Sequence, residues 1–409
     1  MISIKNILTI SRFETKVLWR NWFFRILAIA GIGFLTIFNI AVFSEADVPR
    51  WAFLSNSWMM PYASLVLISI PQAAAVVFLA TGLIKKDKKV DTNEVFFVRP
   101  ISNLDYVLGK ALALFKLFFL LNLVFVLLSL IFNITSPYTT FEPLAYILYP
   151  LLTSMPTIMF TTGLSFLLVT ILKNQPVSIV LLLGLAGVQL IYYFDQFSNI
   201  LDFVAFRLPM FTSDIAGFQE MEFALLQRSF YFILGIAFLF ITAFLLDRLS
   251  SHKTTKILTG TIGLVVLAFS AVVMLKLWDM RQDPMELRQD MVSLNGQWVA
   301  EPNISILSHS IEIELIENEI KGQSAMQVKN NSAQTLDKIY FSLNPALKLD
   351  EVLVNGQSVS AEKNLHIISI AKDFSLASAQ EMKVELKYSG SIQQSVAHLE
   401  VDEERYESA

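Results

Sequence analysis

The chain of 409 residues is 54% hydrophobic and only 16% charged, and it contains no cysteine. This composition indicates an integral membrane protein, and the missing thiols exclude disulfides, cysteine nucleophiles and zinc sites built on cysteine. The formal net charge of −4 is unevenly distributed, because residues 1–276 carry 20 Lys and Arg against 14 Asp and Glu, whereas residues 277–409 carry 11 against 21. We therefore place a domain boundary between these two parts.

Residues 1–22 are too polar to cross a membrane, since charged side chains such as Lys5, Arg12 and Glu14 interrupt them. Their apolar residues nevertheless recur at helical spacing. The pattern predicts an amphipathic helix lying in the cytoplasmic interface. The alternative is a basic leader that only sets the topology.

Seven apolar runs are long enough, at roughly 20 residues each, to cross a hydrocarbon core of about 30 Å. They are Phe23–Phe43, Ala63–Ile84, Ala111–Phe132, Ala145–Leu172, Val177–Phe194, Ser229–Leu246 and Ile257–Leu275. No cleavage site of small residues follows the first run, so we expect it to remain as an anchor. The sequence thus predicts a membrane all-α bundle of seven transmembrane helices over residues 23–276.

The orientation follows from the Lys and Arg residues in the short loops. One side of the predicted bundle receives 14 of them and the other receives only Arg50, Arg207 and Arg228. The positive-inside rule then puts the N-terminus in the cytoplasm. With seven spans, the C-terminal part is expected on the extracytoplasmic side.

Residues 277–294 are charged and are expected to continue the last helix as a stalk. The apolar period then changes to alternation, as in S-I-E-I-E-L-I-E at Ser310–Glu317, and turn signals such as Asn355-Gly356 separate the runs. This pattern predicts a soluble all-β, sandwich-like domain over residues 295–395, followed by an acidic tail at 396–409.

Residues suited to catalysis are few. The four histidines, His252, His309, His366 and His398, are scattered, and the chain contains no H-E-x-x-H helix, Walker A loop or G-x-S-x-G elbow. A lone histidine in an alternating strand, such as His366, is more often a surface or half-buried residue than a ligand. We therefore expect no enzymatic activity in this chain, and no catalytic residue, bound metal or cofactor of its own.

The loop Lys85–Lys110 combines a basic run, K-K-D-K-K, with an apolar segment, and ends in R-P-I-S, Tyr106 and Gly109-Lys110. It is long enough to dock a partner. The alternative is a solvated basic loop that contacts only lipid headgroups. Four lysines fit that alternative, but Phe96, Phe97 and Pro100 do not.

With these features, residues 1–250 resemble the permeases of ABC transporters of the type-2 export class. The resemblance implies an elbow helix at Ile4–Arg20 and a coupling helix at Asp91–Arg99 that docks into a separate ATPase subunit, where ATP is bound. The coupling residues would be Asp91, Glu94, Phe96, Phe97 and Arg99. The other implied partners are a second permease half or a second copy of the chain, and membrane lipid; no nucleic acid partner is expected.

The C-terminal domain is similar to a different family, the N-terminal β-domain of zinc aminopeptidases of the gluzincin clan. The similarity rests on V-L-V-N-G at Val352–Gly356, L-H-I-I-S-I at Leu365–Ile370 and V-E-L-K-Y-S-G at Val384–Gly390. The catalytic helix of that family lies in a later domain, so we expect this chain to be either a truncated relative or a fragment of a longer chain. Permeases joined to such domains are typical of Bacteroidota-type bacteria, which implies the bacterial inner membrane as the location.

Polar side chains inside the predicted spans are costly and therefore candidates for function. The deepest are Gln72, Asn122 and Gln189, although uncharged amides more often bond neighbouring helices than bind substrate. Pro71, Pro150 and Pro156 are expected to kink their helices, which would either create a gate or improve packing.

The leading functional hypothesis is a transmembrane permease subunit of an ABC-type exporter with an unidentified substrate. The alternative is a membrane-anchored peptidase-like module, whose spans are a platform for an outer domain that recognises peptides.

Overall fold

The computed structural model describes residues 3–43, 58–86, 101–135, 141–191, 199–206, 208, 210, 212–213, 217–218, 221–246, 253–298, 304–316, 319–371, 375–393 and 396. The chain divides into two compact units, Met1–Asp279 and Met280–Ala409.

The first unit is helical. Its elements in chain order are α1 (Ile4–Trp19), α2 (Trp22–Phe43), α3 (Met59–Lys86), α4 (Asn103–Thr135), α5 (Pro143–Tyr149), a π-helical segment (Pro150–Ser154), α6 (Met155–Leu172), α7 (Gln175–Ile191), the short strands β1 (Thr212–Ser213) and β2 (Gly217–Phe218), α8 (Met221–Leu245) and α9 (Lys253–Trp298), the last of which continues into the second unit.

Among the described residues, six helical segments are long and apolar enough to cross a membrane, as in a multi-pass membrane protein. They are Trp22–Ala41, Met59–Lys85, Asn103–Thr135, Pro143–Leu172, Met221–Leu245 and Thr254–Met280. The prediction of seven spans is not confirmed. The fifth predicted span corresponds to α7, which has 17 residues and starts after Lys173 ends α6 in a left-handed conformation; the predicted run also counted residues 192–194, which are not described.

The helices differ in how much of their surface other helices cover. About two thirds of the apolar window of α3 is buried, against 17% for that of α2 and 22% for that of α9. The buried core is shared by Leu79 of α3, Phe118 of α4, Ile158 of α6 and Leu239 of α8. Helices α3, α4, α6 and α8 therefore form the centre, and the apolar faces of α2 and α9 are suited to lipid.

The second unit is a small antiparallel sheet domain. Its strands are β3 (Ile304–Ile316), β4 (Glu319–Asn330), β5 (Ile339–Ser342), β6 (Lys348–Val354), β7 (Gln357–Ser358), β8 (Ala361–Asn364), β9 (Ile367–Ile370) and β10 (Glu381–Gly390). One sheet has the order β3-β4-β10-β6-β7, and the other has the order β5-β9-β8.

Both sheets contribute to a single apolar core, in which Val328, Ile339, Ile368 and Val384 are fully buried. Asn355 and Gly356 have positive φ angles of 50° and 82° and join β6 to β7, as expected where an Asn-Gly pair forms a two-residue hairpin loop.

Candidate functional site

Helix α4 begins directly after the loop that carries the predicted coupling residues. Asp91, Glu94, Phe96, Phe97 and Arg99 all lie outside the described residues. The first two turns of α4 are described, and they contain a concentration of buried polar contacts.

Asp105 is a buried residue that forms hydrogen bonds at the N-terminal ends of two helices, α1 and α4. Its backbone N–H donates to Ser102 Oγ at 3.0 Å, which caps α4. Its Oδ1 accepts from the N–H of Ser3 at 2.9 Å, and its Oδ2 accepts from Asn6 Nδ2 at 3.4 Å, at the start of α1. Because free N–H groups at a helix N-terminus favour negative charge, this carboxylate holds the first turns of α1 and α4 together.

Helix α1 approaches α4 most closely at Gly109. A Cβ atom on Gly109 would lie 2.7 Å from Ile10 Cβ and 3.2 Å from the carbonyl oxygen of Ile7. Atoms do not pack at the first of these distances without a shift, so glycine is what allows the contact.

Lys110 places a fully buried ammonium group among three helices. Its Nζ lies 3.0 Å from Glu14 Oε1 of α1, and it donates at 2.9 Å to the carbonyl oxygen of Leu83 in the last turn of α3. The Tyr106 ring lies 5.0 Å from Nζ. Since the carbonyl groups that end a helix carry partial negative charge, the ammonium is stabilised by both the carboxylate and the end of α3.

Asn103 connects the same two turns to α8. Its Nδ2 donates to the carbonyl oxygens of Leu246 at 2.6 Å and Ala243 at 3.2 Å, which lie at the C-terminal end of α8. We call Asn103, Asp105, Gly109 and Lys110 the α4 junction. It joins α4 to α1, α3 and α8.

A second buried cation lies near the other end of α8. The side chain of Arg228 is almost fully buried, and its Nε donates to the carbonyl oxygen of Leu152 at 2.7 Å. Its Nη2 donates to Thr153 O at 3.0 Å and to Thr157 Oγ1 at 2.7 Å, and its Nη1 donates to Phe203 O at 3.2 Å.

Pro156 explains why a carbonyl group is available to Arg228. Proline has no N–H, so Pro156 gives no i→i−4 hydrogen bond to Leu152, four residues earlier. The π-helical segment Pro150–Ser154 precedes this point. The kink expected at Pro150 and Pro156 thus takes the form of a π-helical interruption whose carbonyl groups receive the guanidinium.

The segment 199–210, of which 207 and 209 are not described, is a connection with largely buried side chains. Its carbonyl groups accept hydrogen bonds from three helices: Gln227 Nε2 donates to Asp202 O at 2.8 Å, Tyr62 to Leu208 O at 3.0 Å and Tyr149 to Met210 O at 2.7 Å. A buried connection needs such donors because water does not reach it. We call Arg228, with the carbonyl groups of Leu152, Thr153 and Phe203, the Arg228 cluster.

The three polar candidates from the sequence are placed differently. Gln189 is the one that reaches this region, since its Nε2 donates to Asp202 Oδ1 at 3.2 Å. Asn122 donates to Phe118 O of its own helix at 3.0 Å, and Gln72 is buried in α3. Arg228 and Lys110, both counted above among the loop charges, are buried charges that the sequence reasoning missed.

In the second unit, His366 is buried rather than half-exposed. Its Nε2 lies 2.9 Å from Asn295 Oδ1 of α9, and its Nδ1 is buried without a hydrogen-bond partner among the described residues. Burial, and then the charge of Lys363, lower the pKa of His366 below its ordinary value of 6.5. Within the described ranges, no group of three or more His, Asp or Glu side chains is arranged to hold a metal ion.

Comparison with known proteins gives few matches. No family model and no curated protein matches the chain. Among solved structures, an M1 zinc metallopeptidase from Deinococcus radiodurans matches with 15% identity and a TM-score of 0.20, both alone and as a mutant bound to a Tyr-Ser-Ala substrate. The match covers 22% of this chain and 21% of the peptidase, so the chain spans about a fifth of the length of that protein.

The first prediction concerns the buried ion pair. Lys110→Met should lower the free energy of unfolding by about 3 kcal/mol, because it leaves the Glu14 carboxylate buried without its cation. Lys85→Met, at an exposed lysine, is the control and should have almost no effect. Denaturant unfolding in detergent measures both. The double variant Lys110→Met/Glu14→Gln should recover part of the loss, and equal losses in the single and double variants would contradict the pairing.

The second prediction concerns Arg228. Arg228→Lys keeps the charge but loses the planar fork that bonds to three elements at once, so stability should fall by about 2 kcal/mol or more. Lys276→Met removes a cation from an exposed pair with Glu222 and should change little. The comparison of the two thermal midpoints is the measurement, and a tolerated lysine at 228 would show that charge alone suffices.

The third prediction is a pH dependence. Because the folded-state pKa of His366 is lowered, its contribution to stability is present above pH 6.5 and is lost as the pH falls from 6.5 towards the folded pKa. The decrease in thermal midpoint from about pH 7.5 to about pH 5.5 should shrink in His366→Gln and persist in His309→Gln, a change at an exposed histidine. An unchanged slope in His366→Gln would rule out this source.

Proposed function

We propose that the chain is the transmembrane permease subunit of an ABC-type exporter in the bacterial inner membrane, driven by a separate ATPase subunit that binds ATP. In this proposal the N-terminus is cytoplasmic, the sheet domain is extracytoplasmic, and a second permease half or a second copy of the chain completes the pathway. The substrate stays unidentified.

The observation that carries the proposal is the α4 junction. It directly follows the loop 87–100, in which the predicted coupling residues lie. Lys110 bonds to α1 and α3, and Asn103 bonds to the end of α8, so a force on this loop acts on the ends of three further helices. A permease driven by a separate ATPase needs such a connection between its docking loop and its spans.

A second feature supports a transport role. The Arg228 cluster joins a π-helical interruption to a buried connection near the other end of α8. The interval from Arg228 to Ala243 is 15 residues, or about 22 Å along a helix. Helix α8 thus connects the α4 junction to the Arg228 cluster, where an interrupted helix and a buried connection meet. Interrupted helices of this kind form the substrate sites and gates of transporters that work by alternating access.

The fourth prediction tests the docking loop. Removing a packed aromatic anchor from an interface costs about 2 kcal/mol or more, roughly thirtyfold in affinity, whereas an exposed charge contributes under about 1 kcal/mol. Phe96→Ala and Phe97→Ala should therefore weaken association with a co-purifying ATPase much more than Lys86→Ala does, with membrane insertion unchanged.

The experiment is co-purification of the full-length tagged chain from its host membrane, with ATP hydrolysis in the eluate as the readout. If no ATPase associates, or if both phenylalanine variants retain full association, the docking loop is not a coupling element. The better reading would then be the alternative, a membrane-anchored platform for an outer domain that recognises peptides.

A further inference from the structure

Strand β3 is a long edge strand that is paired on one side within the described residues. It has 13 residues and pairs with β4 from Ile304↔Asn330 to Ile316↔Glu319, at one end of the five-stranded sheet. The backbone groups along its other side can therefore pair with a further strand.

From Ser308 to Ile316 the side chains of β3 alternate between two faces. Ile311, Ile313 and Leu315 lie opposite Ser324, Gly322 and Ile320 of β4, on the face that also contains the buried Met326 and Val328. The three apolar side chains nevertheless remain 52%, 57% and 77% exposed. The apolar face of the sheet thus continues onto an edge strand that nothing described covers.

The other face of β3 is polar, with Ser308, Ser310, Glu312 and Glu314. Edge strands of soluble proteins are usually protected by charged side chains (especially lysine), proline, β-bulges, charges on the inner face or short length. From Ser308 to Ile316 β3 has no lysine, proline or bulge, and its charges, Glu312 and Glu314, lie on the polar face. The opposite edge, β7, has only two residues. Among the described residues, edge β3 is therefore open to pairing.

We propose that β3 pairs in antiparallel fashion with β3 of a second copy of this chain, in a register centred on Ile311. Matching faces require that residues of the face with Ile311, Ile313 and Leu315, which also contains His309, stand opposite residues of the same face. A centre at Glu312 would place two carboxylates opposite each other, and a centre at Ile313 would place Glu312 opposite Glu314; both arrangements are destabilising.

The centre at Ile311 avoids both clashes. It pairs Glu312 with Ser310 and Glu314 with Ser308 of the second copy, and Ile313 with His309. A centre at Ser310 also separates the carboxylates, but its pairing ends sooner because the β-bulge at Leu307 interrupts the strand. Ile311 thus gives the longest register that is compatible with the charges. This self-complementarity is what selects a second copy over an unrelated peptide.

The chain contains no cysteine, so single-cysteine variants of the full-length protein test the register directly. Residues directly opposite in an antiparallel pair have Cα atoms about 4.5–5.5 Å apart, within disulfide range, whereas diagonal neighbours are about 7–8 Å apart. Under mild oxidation in detergent, Ile311→Cys should form a disulfide-linked dimer. Glu312→Cys alone should not, but it should cross-link to a co-expressed, differently tagged Ser310→Cys chain.

The control is Gln357→Cys, at an exposed position of β7 on the opposite edge of the same sheet. A second variant, Ile313→Lys in the Ile311→Cys background, places a charge on the apolar face next to the contact and should reduce dimer yield on the order of fivefold. A thermal midpoint equal to that of the parent shows that this variant is folded.

Three results would overturn the proposal. A dimer yield for Ile311→Cys no higher than that for Gln357→Cys would indicate that the cross-links form by random collision. Equal dimer yields for Glu312→Cys and Ile311→Cys would contradict the register, and no effect of Ile313→Lys would contradict the interface. None of these measurements involves an ATPase, so they are independent of the proposed permease function.

Discussion

The buried ammonium of Lys110 is the interaction on which one end of the helical unit depends. A charge without exposed area needs compensation from every side, and it receives the Glu14 carboxylate from α1 and a terminal carbonyl group from α3. The carboxylate is available only because α1 lies along α4, and that contact requires glycine at 109. The position of α1 is therefore fixed by electrostatics and by close packing together.

The Arg228 cluster also compensates a buried positive charge, but with a different kind of partner. At the α4 junction the cation meets a carboxylate, whereas the hydrogen bonds of Arg228 described above are mainly to backbone carbonyl groups. Pro156 removes one intrahelical donor, and the arginine supplies another. A helix interruption and a buried charge, each costly alone, thus compensate each other. Such paired defects favour one arrangement of the helices, because either defect without the other leaves a buried polar group uncompensated.

Much of the fold could be predicted from the sequence because hydropathy and alternation are averaged over many residues. Six of the seven apolar runs lie in long apolar helices, and the alternating runs lie in an antiparallel sheet domain. The start of β3 was missed, since the bulge at Leu307 breaks the alternation between Ile304 and Ser310. The fifth predicted span, Val177–Phe194, is not confirmed, because the described helix α7 has only 17 residues.

The candidate sites were harder to predict, because each depends on a partner that is distant in the sequence. Lys110 and Arg228 were counted as charges next to membrane spans, which is where lysine and arginine usually lie. Only the packing of α1 against α4, with Glu14 96 positions before Lys110, shows that the lysine is buried. Gln189 was identified from its polarity, but its partner Asp202 lies in a connection whose burial no sequence pattern indicated.

Helix α8 packs closely against α6 between the regions that contain the two buried cations, Lys110 and Arg228. A Cβ atom on Gly235 of α8 would lie 2.7 Å from the carbonyl oxygen of Met159 of α6, so the two backbones touch. Gly235 stands between Arg228 and Ala243, whose carbonyl group Asn103 caps. Helices in backbone contact do not slide freely past each other, because interiors are close-packed. The α4 junction and the Arg228 cluster are therefore connected by α8 and by its backbone packing against α6, and the π-helical segment Pro150–Ser154 interrupts the regular hydrogen bonding directly before α6.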